Sequence, residues 1–192
     1  MKKMKTISRL LIVLAALLMI VMYFVPLWRI LMWAPQYPEW LKMNIWINNI
    51  TGNLNTINAL NHYIGMKHIQ VGMFPEFSYL PYLLGAVISV GLIAGAVGRR
   101  FMLYGYMVLL ILAGLAALVD FYLWGYDYGH NLDPTAPIRV PGMSYQPPVI
   151  GTKQLLNFTA FSGPDVGGWI FIVSAAIVLL VVVLEWFSSR NK

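Results

Sequence analysis

The chain has 192 residues, of which 59% are hydrophobic and 10% are charged, and its formal net charge is +6. Soluble domains carry roughly 25% charged residues, so this composition excludes an ordinary soluble domain and indicates a membrane protein. The chain has no cysteine, which excludes disulfides and thiolate metal sites.

Four stretches are long and apolar enough to cross a membrane, because none contains an acidic or basic residue and a spanning helix needs about 20 mostly apolar residues. In chain order they are Leu10–Trp28, Tyr79–Val97, Phe101–Val119 and Val166–Leu184. The first is too long for a secretory signal and no small-residue cleavage motif follows it, so we interpret it as an uncleaved signal anchor. The pattern predicts an all-α membrane protein with one four-helix transmembrane domain over residues 1–192.

Basic residues cluster on one predicted side of the membrane. They precede the first span, separate the second from the third and end the chain: Lys2, Lys3, Lys5, Arg9, Arg99, Arg100, Arg190 and Lys192. Four crossings put both termini on the same side, and the positive-inside rule makes that side the cytoplasm. The positive charge is therefore a topology signal, and we expect no nucleic-acid partner.

Two long connections, residues 29–78 and 120–165, are then expected outside the cytoplasm. Both are rich in Trp and Tyr, which favour the membrane–water interface and supply area for burial. We expect two ordered loops that form a small cap. Whether the two loops touch each other stays open at this stage.

Each loop has one further structural signal. In the first, apolar residues at helical spacing follow Asn53, a good N-cap residue, and predict a short amphipathic helix with His62 near its end. In the second, five prolines between residues 131 and 151 predict an extended, turn-rich strap.

Loop histidines and methionines are the candidate metal ligands. Imidazole nitrogen and thioether sulfur both suit copper, and thioether suits Cu(I) in particular. The central group is His62, Met66 and His68, in which the first two lie one turn apart if the helix continues past Gly65. A helix break at Gly65 would instead allow His68 to turn back towards them. The further candidate ligands are Met73, His130 and Met143.

The alternative reading of these residues is structural. Histidines at a membrane surface often hydrogen-bond a neighbouring loop, and methionines are common as flexible core fillers. Neither reading is excluded by the sequence.

A second polar cluster follows the third span. Asp120 is expected at the outer membrane boundary, where an unpaired charge is costly, and Arg29 at the outer end of the first span is its expected ion-pair partner. Asp127 and His130 lie three residues apart and would suit Zn or Cu(II) if the second loop packs against the first.

Small residues in the second span predict a close-packing helix face. They are Gly85, Ser89, Gly91 and Gly95. This face suits a neighbouring helix either of the same chain or of a partner. The four predicted spans lack ionisable residues, which usually mark an ion path, so transport by a single chain is not expected.

Enzyme motifs are missing from the sequence. There is no G-x-S-x-G, no H-E-x-x-H and no Gly-rich phosphate loop. Haem held between spans is excluded because no span contains a histidine, and C-x-x-C-H attachment is excluded by the lack of cysteine. We predict no catalytic residue, with an unrecognised membrane enzyme or quinol-interacting subunit as a third reading.

Most of the chain resembles a known family. The segments that carry the resemblance are "APQYPE", "INALNHYIGMKHI", "VDFYLWGYDYGHNLDP" and "PGMSYQPPVIGTKQLLNFTAFSGPDVGGW". They are similar to four-span bacterial membrane proteins encoded beside the maturation machinery of nitrous oxide reductase, a copper enzyme. The resemblance implies an accessory role in copper delivery or reductase assembly outside the cytoplasmic membrane. It supplies no ligand set, so the candidate ligands rest on their chemistry alone.

Two functional hypotheses follow. In the first, the protein is a membrane-anchored accessory factor that binds or delivers copper through its cap. In the second, it is a non-catalytic subunit of a larger membrane complex, with docking loops and no metal. Both predict contact with membrane lipid and an extracytoplasmic or membrane protein partner.

Overall fold

The structure is a computed structural model that describes residues 3–155 and 157–190. Its helices are α1 (Thr6–Leu18), α2 (Leu54–Ile64), α3 (Glu76–Val97), α4 (Arg100–His130) and α5 (Val166–Arg190), with 3₁₀ helices at Met19–Tyr23 and Val71–Met73. Its strands are β1 (Trp28–Ala34), β2 (Tyr37–Ile45), β3 (Ile50–Gly52), β4 (Gly151–Leu155) and β5 (Phe158–Pro164).

Four helices are long and apolar enough to cross a membrane, as the sequence predicts. They cover Thr6–Tyr23, Glu76–Val97, Arg100–His130 and Val166–Ser188. The first ends before the predicted Trp28, because β1 begins there. The third continues well past the predicted Val119. Its 31 residues are about 46 Å long at 1.5 Å per residue, so α4 is longer than an apolar layer of about 30 Å.

The all-α prediction is wrong, because the two loops form a five-stranded antiparallel sheet in the order β3-β2-β1-β5-β4. The first loop supplies three of these strands and the second loop supplies two. They join where β1 pairs with β5, from Trp28 opposite Pro164 to Trp33 opposite Thr159. The fold is therefore mixed α and β, and the two loops make one cap.

The strands follow from a two-residue periodicity in the first loop. In β2, Leu41 and Met43 are buried while Trp40 and Lys42 are exposed, the alternation expected of a strand with one covered face. Because Trp and Tyr recur through this loop, they suggest interfacial anchors as readily as strand residues. The aromatic composition therefore makes the two-residue periodicity of the strands hard to recognise in the sequence.

The bundle core is tightest around α1, which packs between α3 and α5. Ile12 and Ala16 of α1 are fully buried. A Cβ atom on Gly91 would lie 2.5 Å from the Tyr106 hydroxyl and 2.9 Å from the Ala16 Cβ. Gly91 of the predicted small-residue face is thus covered within the chain itself, whereas Ser89 of that face is exposed.

The start of α1, the α3–α4 turn and the last turns of α5 meet at one end of the bundle, here called the basic end. The Met4 N–H donates to the Gly98 carbonyl over 2.8 Å. Arg9 donates from Nε to the Gly95 carbonyl (2.9 Å) and from Nη2 to the Ala96 carbonyl (2.7 Å). These bonds satisfy carbonyls left free at the end of α3. Lys2 and Lys192, also part of the predicted cytoplasmic charge, lie outside the described residues.

A buried carboxylate completes the basic end. Glu185 lies just beyond the predicted fourth span but inside α5. Its Oε1 accepts hydrogen bonds from Ser8 Oγ (2.7 Å) and the Lys5 N–H (2.9 Å), and its Oε2 lies 2.9 Å from Arg100 Nη2. This network ties α1, α4 and α5 together.

The opposite end of the bundle, here called the sheet end, carries the sheet, α2 and the strap. The predicted helix is confirmed as α2 and ends at Gly65, whose φ of 79° is the left-handed conformation that glycine adopts easily. Asn53 precedes α2 but its side chain accepts the Lys42 N–H instead of capping the helix. Residues 131–150 form turns and extended backbone without a helix or strand, as the prolines predict.

Candidate functional site: two cavities under the sheet

The first cavity, here called the methionine cavity, has a volume of about 240 Å³ and lies among the sheet, α2, the end of α4 and the strap. Met32 of β1, Met43 of β2 and Met66 after α2 all line it. Met32 opposes Leu41 and Met43 opposes Ile30 in the β1–β2 register. Since side chains two apart share a sheet face, this register brings two thioethers to the covered face of the sheet.

The methionine cavity contains no charged lining residue among those described. Its polar groups are neutral amides and hydroxyls. Tyr145, in the strap, is 3% exposed, and its hydroxyl has no hydrogen-bond partner within the described residues. The Tyr145 N–H bonds the Gly129 carbonyl over 2.9 Å, which seats the strap on α4. The cavity is an apolar chamber whose softest donors are three sulfurs.

The second cavity, here called the carboxylate cavity, has a volume of about 560 Å³ and lies among the start of α3, α4 and the sheet. Its charged lining residues are Lys67, Glu76, Asp120 and Asp127. Lys67 Nζ lies 2.6 Å from Asp127 Oδ2, so that pair is internally neutralised. Its aromatic lining residues are Trp28, Trp46, Phe74, Phe77, Phe121, Trp124 and Tyr128.

All three histidines that the sequence singles out are exposed. His62 lies near the end of α2, and the backbone carbonyl of His68 accepts the Tyr128 hydroxyl over 3.2 Å. The His130 ring stacks on Tyr126 with centroids 4.0 Å apart, and its Nδ1 lies 3.0 Å from the Tyr126 carbonyl. None of the three lines either cavity as described.

Two of the three candidate methionines line a cavity, each a different one. Met66 lines the methionine cavity, whereas Met73 lines the carboxylate cavity, with its Sδ 3.8 Å from the Tyr128 hydroxyl. Met143 is half-buried in the strap. Over residues 3–155 and 157–190, no group of three or more His, Cys, Asp or Glu side chains is arranged to hold a metal ion. The ligand set proposed from sequence stays a prediction.

Met32 and Met43 are the residues that sequence reasoning missed. Their signal is their position at alternate, inward-facing sites of two paired strands. A strand prediction for residues 28–45 would have placed both on the face that covers Met66.

The expected ion pair between Arg29 and Asp120 does not form. The ion pairs among the described residues are Lys67–Asp127 and Arg100–Glu185. Arg29 follows Trp28 in β1, and Trp28 lines the carboxylate cavity. Because successive strand residues point to opposite faces, Arg29 is directed away from that cavity.

Comparison of the chain with protein-family models and with curated proteins gives no match. The resemblance to proteins of nitrous oxide reductase maturation clusters therefore stays a prediction from the sequence motifs quoted above.

Proposed function

We propose that the protein is a membrane-anchored accessory factor that binds Cu(I) in its cap and passes it to a protein partner outside the cytoplasm. The observation that carries the proposal is that Met32, Met43 and Met66 line one uncharged cavity. Thioether sulfur is a soft ligand that selects Cu(I). The motif resemblance suggests that the recipient is the nitrous oxide reductase assembly machinery.

The lining of the cavity favours Cu(I) over other ions. Mg²⁺ and Ca²⁺ prefer carboxylate and carbonyl oxygen, and Zn²⁺ prefers thiolate, imidazole and carboxylate. No residue that lines the methionine cavity supplies a carboxylate, a thiolate or an imidazole. A buried divalent ion without anionic ligands would be more costly than a monovalent one, since the desolvation penalty rises with charge. Neutral thioethers also bind without losing a proton, so uptake and release need no acid or base.

The charge distribution supports the direction of delivery. Lys3, Lys5, Arg9, Arg99 and Arg100 all belong to the basic end. By the positive-inside rule this end faces the cytoplasm. The methionine cavity, at the sheet end, would then face the compartment in which the proposed recipient is assembled.

The test is an anaerobic Cu(I) titration against a coloured Cu(I) chelator with purified protein. The variant M32L/M43L/M66L removes the three sulfurs while nearly conserving volume. We expect it to weaken Cu(I) binding by more than about 100-fold, beyond the range seen when only outer-shell groups are changed. The matched control M22L/M102L/M107L removes three thioethers from the bundle core and should bind as the unaltered protein does.

A further variant distinguishes this site from the one predicted by sequence. H62A/H68A should retain Cu(I), because both histidines are exposed and line neither cavity. Loss of Cu(I) in H62A/H68A together with retention in the triple methionine variant would assign copper to the histidines and overturn the cavity proposal. Absence of Cu(I) binding in the unaltered protein would reject copper altogether.

The second candidate function is a non-catalytic subunit of a membrane complex. Trp33 and Trp40, on the β1–β2 hairpin, are 41% and 47% exposed, and exposed Trp is common at the centre of protein interfaces. Stable co-purification of a partner that is lost in W33A/W40A, without metal, would support this function instead.

A further inference from the structure

The carboxylate cavity lies at the level of the membrane boundary. Glu76 begins the 22-residue α3, which is about 33 Å long, and Asp120 lies about 30 Å along α4 from Arg100 at 1.5 Å per residue. The apolar layer of a bilayer is about 30 Å thick. With Arg100 at one face of that layer, both carboxylates lie at the other face, where lipid headgroups begin.

Neither Glu76 nor Asp120 forms an ion pair within the part of the chain that the structure describes. Their negative charges act repulsively on each other. Lys67, the basic residue among the described lining, is paired with Asp127, and Arg29 forms no ion pair with Asp120. An unpaired charge at a membrane boundary is costly, so a cation between Glu76 and Asp120 would be stabilised.

The aromatic lining also favours a cation over an anion. Ring faces attract organic cations, and the attraction increases when water is excluded. The indole N–H of Trp28 already donates to Ser162 Oγ, and that of Trp46 to Thr51 Oγ1, each over 2.8 Å. These two rings therefore have no free donor for an anion, whereas the indole N–H of Trp124, which also lines the cavity, has no hydrogen-bond partner among the described residues.

The cavity continues into the lipid-facing surface of the bundle. Leu80 of α3 and Ala117 and Leu123 of α4 line it, and Leu123 is 58% exposed. From residue 111 to residue 124, α4 has no buried residue. An occupant would therefore combine a cationic head with an apolar tail that runs along α3 and α4.

We propose that the carboxylate cavity binds a phospholipid with a primary ammonium headgroup, such as phosphatidylethanolamine, from the leaflet at the sheet end. The ammonium lies between Glu76 and Asp120 and donates hydrogen bonds to both, and an acyl chain follows Leu80 and Ala117. A cavity of about 560 Å³ is the size of a small-molecule site.

The experiment measures the lipids that stay bound through detergent purification from membranes that contain both phosphatidylethanolamine and phosphatidylglycerol. The unaltered protein is compared with E76Q/D120N and with the control E39Q/D165N. The control removes the same charge from an exposed β2 residue and from the residue before α5, neither of which lines the cavity. We expect the ratio of phosphatidylethanolamine to phosphatidylglycerol to fall about tenfold in E76Q/D120N, as loss of charge-assisted hydrogen bonds implies, and to be unchanged in the control.

Titration of the unaltered protein tests the same proposal without a variant. Short-chain phosphatidylethanolamine should quench or shift the fluorescence of the lining tryptophans at lower concentration than phosphatidylglycerol. Phosphatidylcholine should lie between them, because its quaternary ammonium contacts ring faces but donates no hydrogen bond. Equal binding of the three lipids, or an unchanged lipid ratio in E76Q/D120N, would overturn the proposal. So would a co-purifying protein that E76Q/D120N loses, since the cation would then come from a polypeptide.

Discussion

At the basic end, the carboxylate of Glu185 is buried and has Ser8, the Lys5 N–H and Arg100 as partners. At the sheet end, Glu76 and Asp120 share a cavity that supplies no unpaired cation from the described residues. A carboxylate with its partners in place contributes to stability, whereas one without them contributes to binding when a cationic ligand arrives. We therefore expect Glu185 to stabilise the fold at the basic end and Glu76 and Asp120 to bind a ligand at the sheet end.

The two ends also differ in how closely their residues pack. Near the basic end, Gly95 leaves no room, since an added Cβ would lie 2.5 Å from Val13 Cγ2. Near the sheet end, cavities of about 240 and 560 Å³ separate the helices from the sheet. Close packing is what a membrane bundle uses for stability, and open space with convergent groups is what a ligand site needs.

The largest expected effect is the difference in unfolding stability between a variant of the paired carboxylate, Glu185, and a variant of the unpaired carboxylate, Asp120. E185A should destabilise the protein by about 3–5 kcal/mol, because it leaves Arg100 partly buried without its partner. D120A should leave the stability of delipidated protein unchanged or slightly raised, since it removes an unpaired carboxylate and no ion pair among the described residues. Unfolding in mixed micelles, followed by tryptophan fluorescence, measures both.

E185Q is the control for this pair, because it keeps hydrogen-bond acceptors for Ser8 and Lys5 and should lose less stability than E185A. Equal destabilisation by E185A and D120A would contradict the division between the two ends.

Two glycine-to-alanine changes sharpen the packing comparison. G91A should destabilise the protein by about 1–3 kcal/mol through overpacking, since its Cβ meets Tyr106 and Ala16 at less than 3.0 Å. G125A, near the sheet end of α4, meets its nearest atom at 3.8 Å and should stabilise the helix by up to about 1 kcal/mol through propensity. The same unfolding assay reads both, and a gain of stability in G91A would show that the α1–α3 contact is looser than described.

The helical part of the fold could be predicted from sequence, and the sheet could not. Hydropathy and length suffice for spans, because each span depends only on its own residues. The pairing of Trp33 with Thr159 joins residues more than a hundred positions apart, and no local periodicity reports such a contact. The role of Glu185 was missed for a similar reason, since Ser8 and Arg100 are distant in sequence.

The candidate site was hard to predict for the same reason, because it joins residues that are distant in sequence. His62, Met66 and His68 are close in sequence, which makes them an attractive group, yet the fold exposes the two histidines and turns Met66 towards a cavity. Met32 and Met43 reach that cavity only through the β1–β2 register. The shared lining of Met32, Met43 and Met66 therefore depends on strand pairing, which the spacing of residues along the chain does not reveal.

The smallest expected effect concerns the strap at the sheet end. The pKa of Asp133 is lowered because its carboxylate accepts hydrogen bonds from the Thr135 hydroxyl (2.7 Å) and the Thr135 N–H (2.8 Å), with a further contribution from the nearby His62. A lowered pKa in the folded state means that the ionised carboxylate favours the folded strap above the ordinary value of 3.8 and that this contribution is lost as pH falls below it. The NMR shift of the Thr135 amide should therefore change as pH falls below that value. D133N should abolish this titration while leaving α2 intact. A Thr135 amide that titrates identically in D133N would show that another group, and not this local turn, senses the acid.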